Sequence, residues 1–447
     1  MEEIRKRRPR RGGVPVVMGA LMVLVLVFVG FWVRGNSAPL VVIPPPPTLP
    51  NPNAYDFYLR AAQNVARARD VDAAGTPARP GQPPVALAQK QALLALNAQQ
   101  LADLRAGMAF RYQQPAVRTL AQDSQFSRQQ VHGKFRTLAR LLVLEGQVRE
   151  AKGDAAGAAQ SYLDAVKLGE DIPRGGSTIA RLVGLACQSV GRAPLWQMAD
   201  RLDGPAARRA AHRLEAIAAN HPPLADTLTE EKYYTQSNAL LLLHNPVAVS
   251  QQVSNPGGGA NLVGTWLGGL LSIAYPKRKV MRDLTAYMDA QIAAARAPYG
   301  TPQKPVPVPT DPISRTLLPG FLNLRTKDTE AGPTQNALLA TTLALRAYRA
   351  DHKKYPAALA ALVPGYLLRV PNDPFARLPN TPLRYKPASD SKTATLYSVG
   401  PDGKDDNGKP IVNPRGTRAR NNPANKNARF YVERDSTGDV VAGINRW

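Results

Sequence analysis

The sequence predicts a single-pass membrane anchor, a mainly α-helical middle domain and a small α+β domain at the C-terminal end. Three observations carry that reading. Residues 14–33, VPVVMGALMVLVLVFVGFWV, hold no charge and follow a basic cluster made by Arg5, Lys6, Arg7, Arg8, Arg10 and Arg11. Apolar residues at helical spacing dominate residues 53–297. After a proline-rich run at 298–312, PYGTPQKPVPVPTDP, the pattern changes to one amphipathic helix followed by short alternating segments.

The anchor is expected over residues 14–34, because some twenty helical residues at ~1.5 Å each cover a hydrocarbon core of ~30 Å. The basic tail, 1–13, is expected on the cytoplasmic side, with the bulk of the chain outside. A cleavable leader is the rival, but apolar leader cores run ~7–15 residues. Pro39 directly after Ala38 also disfavours cleavage there. Pro44, Pro45, Pro46, Pro47, Pro50 and Pro52 stiffen a stalk over 35–52.

The helical middle domain, 53–297, opens with Asn53 as a candidate N-cap and Tyr55, Tyr58, Leu59, Ala62 and Val65 at helical spacings. Leu87, Leu94 and Leu101 mark further helix. The stretch EGQVREAKGDAAGAAQSYLDAVKLG places Gly146, Ala151, Gly153, Ala158, Tyr162 and Ala165 as a tetratricopeptide-like helical hairpin would. Only one such unit is present, so ordinary helix packing is the better reading. Cys187 lies in an apolar helical stretch, where a buried thiol is expected. Residues 262–275, LVGTWLGGLLSIAY, read as a core helix, too short to span a bilayer. A linker is expected over 298–333.

From Thr334 onward, TQNALLATTLALRAYRAD is amphipathic, with Leu338, Leu345 and Tyr348 on one stripe and Leu339, Leu343 and Ala347 beside it. Pro356 opens a short helix, PAALAALV, and LRYK and TLYSV alternate as strands do. The last segment, ARFYVERDSTGDVVAGI, reads as a hairpin turning at residues 435–438. The ordered elements are Tyr348 with Asp351, Tyr355-Pro356, Tyr366-Leu367, Asp373-Pro374-Phe375, Pro382 with Tyr385, and a loop with Tyr397, Ser398, Gly400, Asp402 and Gly403. In that order they resemble the C-terminal domain of the major pseudopilin of type II secretion, over roughly the last quarter of the chain. The resemblance implies a pseudopilin-like α+β domain over 334–447, one long helix packed on a small antiparallel sheet. It also implies a bacterial source, and hence an anchor in the inner membrane. The family's Gly-Phe-Thr-Leu-Ile-Glu type start is not found, so the chain is not expected to be a processed pilin.

Members of that family often bind calcium in the loop between the last strands, through carbonyls and Asp side chains. Carried over, the implied ligands are Asp402, Asp405 and Asp406, with a carbonyl from Ser398. Lys404 and Lys409 flank the acids, the spacing is not that of an EF-hand, and turn chemistry accounts for PDG and NG equally well. No HExxH, paired His/Cys set, GxSxG elbow or Walker loop occurs, so no catalytic residue is assigned.

The 447 residues carry 57 Lys and Arg against 33 Asp and Glu, a net charge of +24. That balance suits anionic partners or a self-repelling basic surface. Aromatic residues are 6%, so no stacking platform for nucleic acid is evident. The expected function is a non-enzymatic interaction or assembly protein outside the inner membrane, contacting envelope proteins such as secretion or pilus-like machinery. The alternatives are a binding module for an anionic polymer or DNA, and a hydrolase with an unmarked site.

Overall fold

The computed structural model describes residues 22–27, 30, 41–76, 83–118, 125–244, 276–318, 324–412 and 432–445. The chain divides into two compact units. One draws on 1–44, 235–287 and 307–319, the other on 45–234, 288–306 and 320–447.

The larger unit begins with α1 (Ala54–Gln63), capped by Asn53. The Asn53 side-chain oxygen accepts from the Tyr55 N–H at 3.1 Å and from the Gln113 N–H at 3.0 Å. One cap therefore also pins the extended stretch that follows α4. Next come α2 (Ala68–Ala74), α3 (Leu87–Leu96) and α4 (Ala98–Gly107). Helices α5 (Gln125–Ala151), α6 (Ala155–Asp171) and α7 (Thr178–Met198) then pack on one another. Small residues set their approach. A Cβ on Gly146 would lie 2.2 Å from the Tyr162 ring, and one on Gly184 would lie 2.5 Å from the Gly169 carbonyl oxygen. The hairpin read from the sequence is thus an ordinary crossing with Tyr162, Ala158 and Ala165 buried. Helix α8 (Gly204–Ala218) follows, capped by Asp203, which accepts from the Ala206 N–H at 2.7 Å.

Helices α9 (Leu224–His244), α10 (Lys277–Arg296), α11 (Pro312–Leu317) and α12 (Leu324–Thr329) lead to a π-helical turn, Glu330–Thr334. Pro333 in that turn has no N–H to give. Helix α13 (Gln335–His352) continues directly and ends at Lys353, which turns left-handed with φ 63. Strands β1 (Arg384–Pro387), β2 (Ala394–Ser398) and β3 (Val440–Val441) form an antiparallel sheet in the order β1-β2-β3. The smaller unit buries Ala239, Leu243, Val280, Met281 and Leu284 together.

The described fold is mostly helical with this small sheet, and it corrects the expected three-part architecture. A free-standing α+β domain after a free linker is not what forms. One apolar core runs from Ala54 to Val440 and takes in α1, α5 to α8, α13 and the sheet. The reason lies in α13. Leu338, Leu339, Ala340, Leu343, Ala344, Leu345 and Ala347 are all buried, a surface wider than three short strands cover. The uncovered side packs on α8, whose Ala206, Ala207, Ala210, Ala211 and Leu214 are buried as well. The expected linker also folds back, with the Tyr299 ring edge-on to Phe375 at 4.7 Å.

The anchor is corrected too. Among the described residues no helix is long and apolar enough to cross a membrane, which stands against a single-pass inner-membrane location. Of the run 14–34, residues 22–27 and 30 are described as helical, and the rest lies outside the described residues. Residues 262–275 also lie outside the described residues. The short helix expected after Pro356 is a 3-10 turn, Leu359–Leu362. Of the expected final hairpin, residues 428–431 lie outside the described residues; its last part forms β3, which pairs with β2, Tyr397 opposite Val441.

These contacts predict opposite responses at two helical glycines. Gly184→Ala forces a methyl onto the Gly169 carbonyl and should cost about 1–3 kcal/mol. Gly133→Ala meets nothing within 4 Å and should stabilise by up to about 1 kcal/mol through helix propensity. Urea unfolding of both variants checks the pair; equal shifts would contradict the close crossing.

Candidate functional site

The loop after β2 is held by its own acids. Asp405 accepts from the Tyr397 hydroxyl at 3.0 Å and the Asn407 N–H at 2.9 Å, and pairs with Arg384 at 3.2 Å. Burial pushes this carboxyl up, but those donors outweigh it and hold it below its ordinary value. The Asp402 side chain accepts from the Lys404 N–H at 3.1 Å, and its carbonyl accepts from Arg377 at 3.0 Å. Asp406 gives its N–H to Asp439 at 3.3 Å, and Gly408 does so at 2.7 Å. Burial, with the Asp405 and Asp406 charges added and those two N–H donors opposing, leaves Asp439 raised to about 6.

Ser398 ends β2. It is buried and gives its hydroxyl to Asp373 at 2.6 Å. Asp373 also accepts from the Val399 N–H at 2.9 Å and the Phe375 N–H at 3.0 Å. It thereby ties the Asp-Pro-Phe turn to the end of β2. Burial raises its carboxyl, with the three donors opposing.

Calcium requires six to eight oxygens converging on one point. The Ser398 hydroxyl is taken by Asp373, the Asp402 side chain closes its own turn, and Asp405 is committed to Arg384 and Tyr397. This donor set does not fit the ion as arranged. Among the described residues, no group of three or more His, Cys, Asp or Glu is placed to hold a metal.

The denser polar centre lies elsewhere, where α7 meets the π-turn. Arg181 is fully buried and forks onto Asp328, Nε to Oδ1 at 2.5 Å and Nη2 to Oδ2 at 2.9 Å. Its Nη1 donates to the Pro222 carbonyl at 2.7 Å. Its Nη2 also lies 2.8 Å from His221 Nε2. A guanidinium can only donate, so Nε2 accepts and His221 Nδ1 carries the proton toward Glu170 at 2.6 Å. Arg192 donates to Gln188 at 2.9 Å, to Asn336 at 2.8 Å and to the Ala331 carbonyl. Burial brings Arg192 down to about 10, with the Glu330 and Glu170 charges opposing.

Glu330 receives the Gln335 amide at 2.7 Å on one oxygen, and its other oxygen has no partner. Burial lifts it to about 7, while the Gln335 hydrogen bond and Arg192 oppose the rise. No nucleophile joins this network among the described residues. Its chemistry is to lock α7, the segment before α9 and the π-turn together, with one carboxyl poised between charge states. The sequence carries a signal for it: Arg181, Gln188 and Arg192 recur at seven and four residues on a mainly apolar helix.

The described residues also form two open cavities. One of about 420 Å³ lies between Trp196, Arg346 and Tyr355 on the helical side and Thr395, Leu396 and Val441 on the sheet. The other, of about 310 Å³, is lined by Arg111, Arg174, Thr227, Glu230 and Arg296. Cys187, as expected, is a buried thiol, pushed up to about 12 by burial.

Two predictions follow from these environments. Asp373→Ala leaves three buried donors unpaired and should cost about 3 kcal/mol, whereas Asp402→Ala should stay within about 1 kcal/mol. The thermal midpoint should be the same in Ca²⁺ and in EGTA. A Ca²⁺-dependent rise that Asp405→Asn removes would contradict the loop geometry. Glu330 supplies the second. In the unfolded chain it ionises near 4.5, in the folded chain near 7, so the folded state holds the extra proton between these values. Its contribution is full below about pH 4.5 and is lost as pH rises through 7, a change of ~3 kcal/mol. Denaturation of the wild type and Glu330→Gln across that window should show the difference; parallel curves would refute it.

No family model matches the chain, and neither a curated protein nor a solved structure does.

Proposed function

We propose that this chain is a non-enzymatic interaction or assembly protein, with a pseudopilin-like C-terminal part that contributes a contact surface for an extended polypeptide. The observation that carries the reading is the cavity between helices and sheet. Among the described residues, β3 pairs with Tyr397 and Ser398 of β2, and Ala394 and Thr395 have a strand neighbour on the β1 side alone. Both residues line the cavity, and an added strand has backbone to pair with there. The facing wall offers Trp196, Tyr355 and Arg346, the residue types on which binding energy concentrates. Arg346 is tied to Asp200 at 2.5 Å and lies 5.8 Å from the centre of the Tyr355 ring.

The motif order supports the pseudopilin likeness, and its residues touch one another. The Tyr348 and Tyr366 rings lie 5.4 Å apart, the Tyr366 hydroxyl donates to Asp351 at 2.7 Å, and Tyr385 donates to the Pro356 carbonyl at 2.8 Å. Proteins of secretion or pilus-like machinery are the partner class this likeness suggests.

A photo-crosslinker at Thr395 of the intact chain, in its own cell, tests the reading. It should capture a defined polypeptide that a crosslinker at exposed Lys152 does not, and Arg346→Glu should lower the yield about tenfold. Equal capture from both positions, or turnover by the purified chain in a hydrolase screen, would overturn it.

A further inference from the structure

The smaller cavity, of about 310 Å³, is walled by four separate segments. Arg111 comes from the extended stretch after α4, Arg174 from the loop after α6, Thr227 and Glu230 from α9, and Arg296 from the last turn of α10. The first two segments are joined where the Gln114 N–H donates to the Arg174 carbonyl at 2.9 Å. That bond fixes two of the four walls against each other.

Its charges are unevenly matched. Glu230 is bound on both oxygens by buried Arg118, each at 3.1 Å. Arg174 is partly engaged, with its Nη2 on the Asn220 carbonyl and its Nε 3.8 Å from Asp171. Arg111 and Arg296 have no ion pair or side-chain hydrogen bond among the described residues, although both line the same space. Asp226, exposed at the rim, is the one lining carboxylate without a paired cation. Thr227 adds an independent sign. It is 2% exposed, and its hydroxyl has no partner. A buried hydroxyl left unpaired costs about 1–3 kcal/mol, which an acceptor entering the cavity would relieve.

We propose that this cavity binds a small oxyanion group, a carboxylate or phosphate, between Arg111, Arg174 and Arg296. Planar guanidinium forks match both groups in bidentate geometry. The volume lies at the small end for ligand pockets, which suits an anionic headgroup or a short acid. The site is distinct from the helix–sheet cavity and does not depend on it.

Calorimetric titration of the intact chain at low ionic strength, with inorganic phosphate in one arm and acetate in the other, tests the proposal. Saturable binding in either arm is expected, and the tighter arm names the source group. Arg111→Gln and Arg296→Gln should each weaken it about tenfold, a loss of ~1.4 kcal/mol. Arg369→Gln, an exposed arginine away from the cavity, should leave it unchanged. Both cavity arginines are exposed and, among the described residues, unpaired, so their variants should keep the wild-type thermal midpoint. No saturation in either arm overturns the proposal. So does equal weakening by Arg369→Gln, which would assign the binding to the diffuse positive charge of the chain.

Discussion

Helix α13 is apolar on two sides, and the rest of the larger unit answers to that. A helix with one apolar stripe is satisfied by one partner. This one buries Leu338, Leu339, Leu343 and Leu345 and the alanines between them. Each buried leucine contributes about 1.5–3 kcal/mol, so neither side can be left in water. The sheet covers one side and α8 the other. The approach is close at the α8 N-terminus, where a Cβ on Gly204 would lie 3.1 Å from the Ala350 methyl. Arg208 seals the edge by pairing with Asp351 at 2.5 Å and lying 4.6 Å from the centre of the Tyr366 ring.

The π-turn before α13 meets the same constraint in polar form. Alanine faces bring α8 and α13 together; the Arg181–Asp328 fork ties α7 to α12, and the Arg192 contacts tie α7 to the π-turn and to α13. Burying these charges carries a desolvation penalty that their pairing and hydrogen bonds offset. The unpaired Glu330 oxygen is the weak point, and that is where pH acts. Pro333 removes an N–H in the turn that must also present the Ala331 carbonyl to Arg192.

Much of the local structure was legible in the sequence. Asn53 caps its helix as its type and position suggest, Cys187 is buried, and β1 and β2 fall within a residue of their alternating segments. What could not be read depends on distant pairings. Asp405 looks like a ligand until the β1–β2 register brings Arg384 opposite Tyr397 and sets both on it. Asp439 joins the loop from beyond residues 413–431. Arg181 finds Asp328 far along the chain. The two adjacent stripes of α13 mark a wide apolar face, but nothing local to the helix names α8 as the partner of its second side. Charge-free length in residues 14–33 likewise suggested a spanning helix, which the described helices do not contain.

The central claim is that the C-terminal helix and sheet fold as part of the helical unit. Denaturant unfolding of the fragment 334–447, followed by circular dichroism and set beside the intact chain, tests it most directly. The shared core predicts no cooperative transition for the fragment, because the α13 face against α8 is exposed and the π-turn is lost. A cooperative transition with the stability of the intact chain would contradict it and return the segment to the status of a free-standing domain.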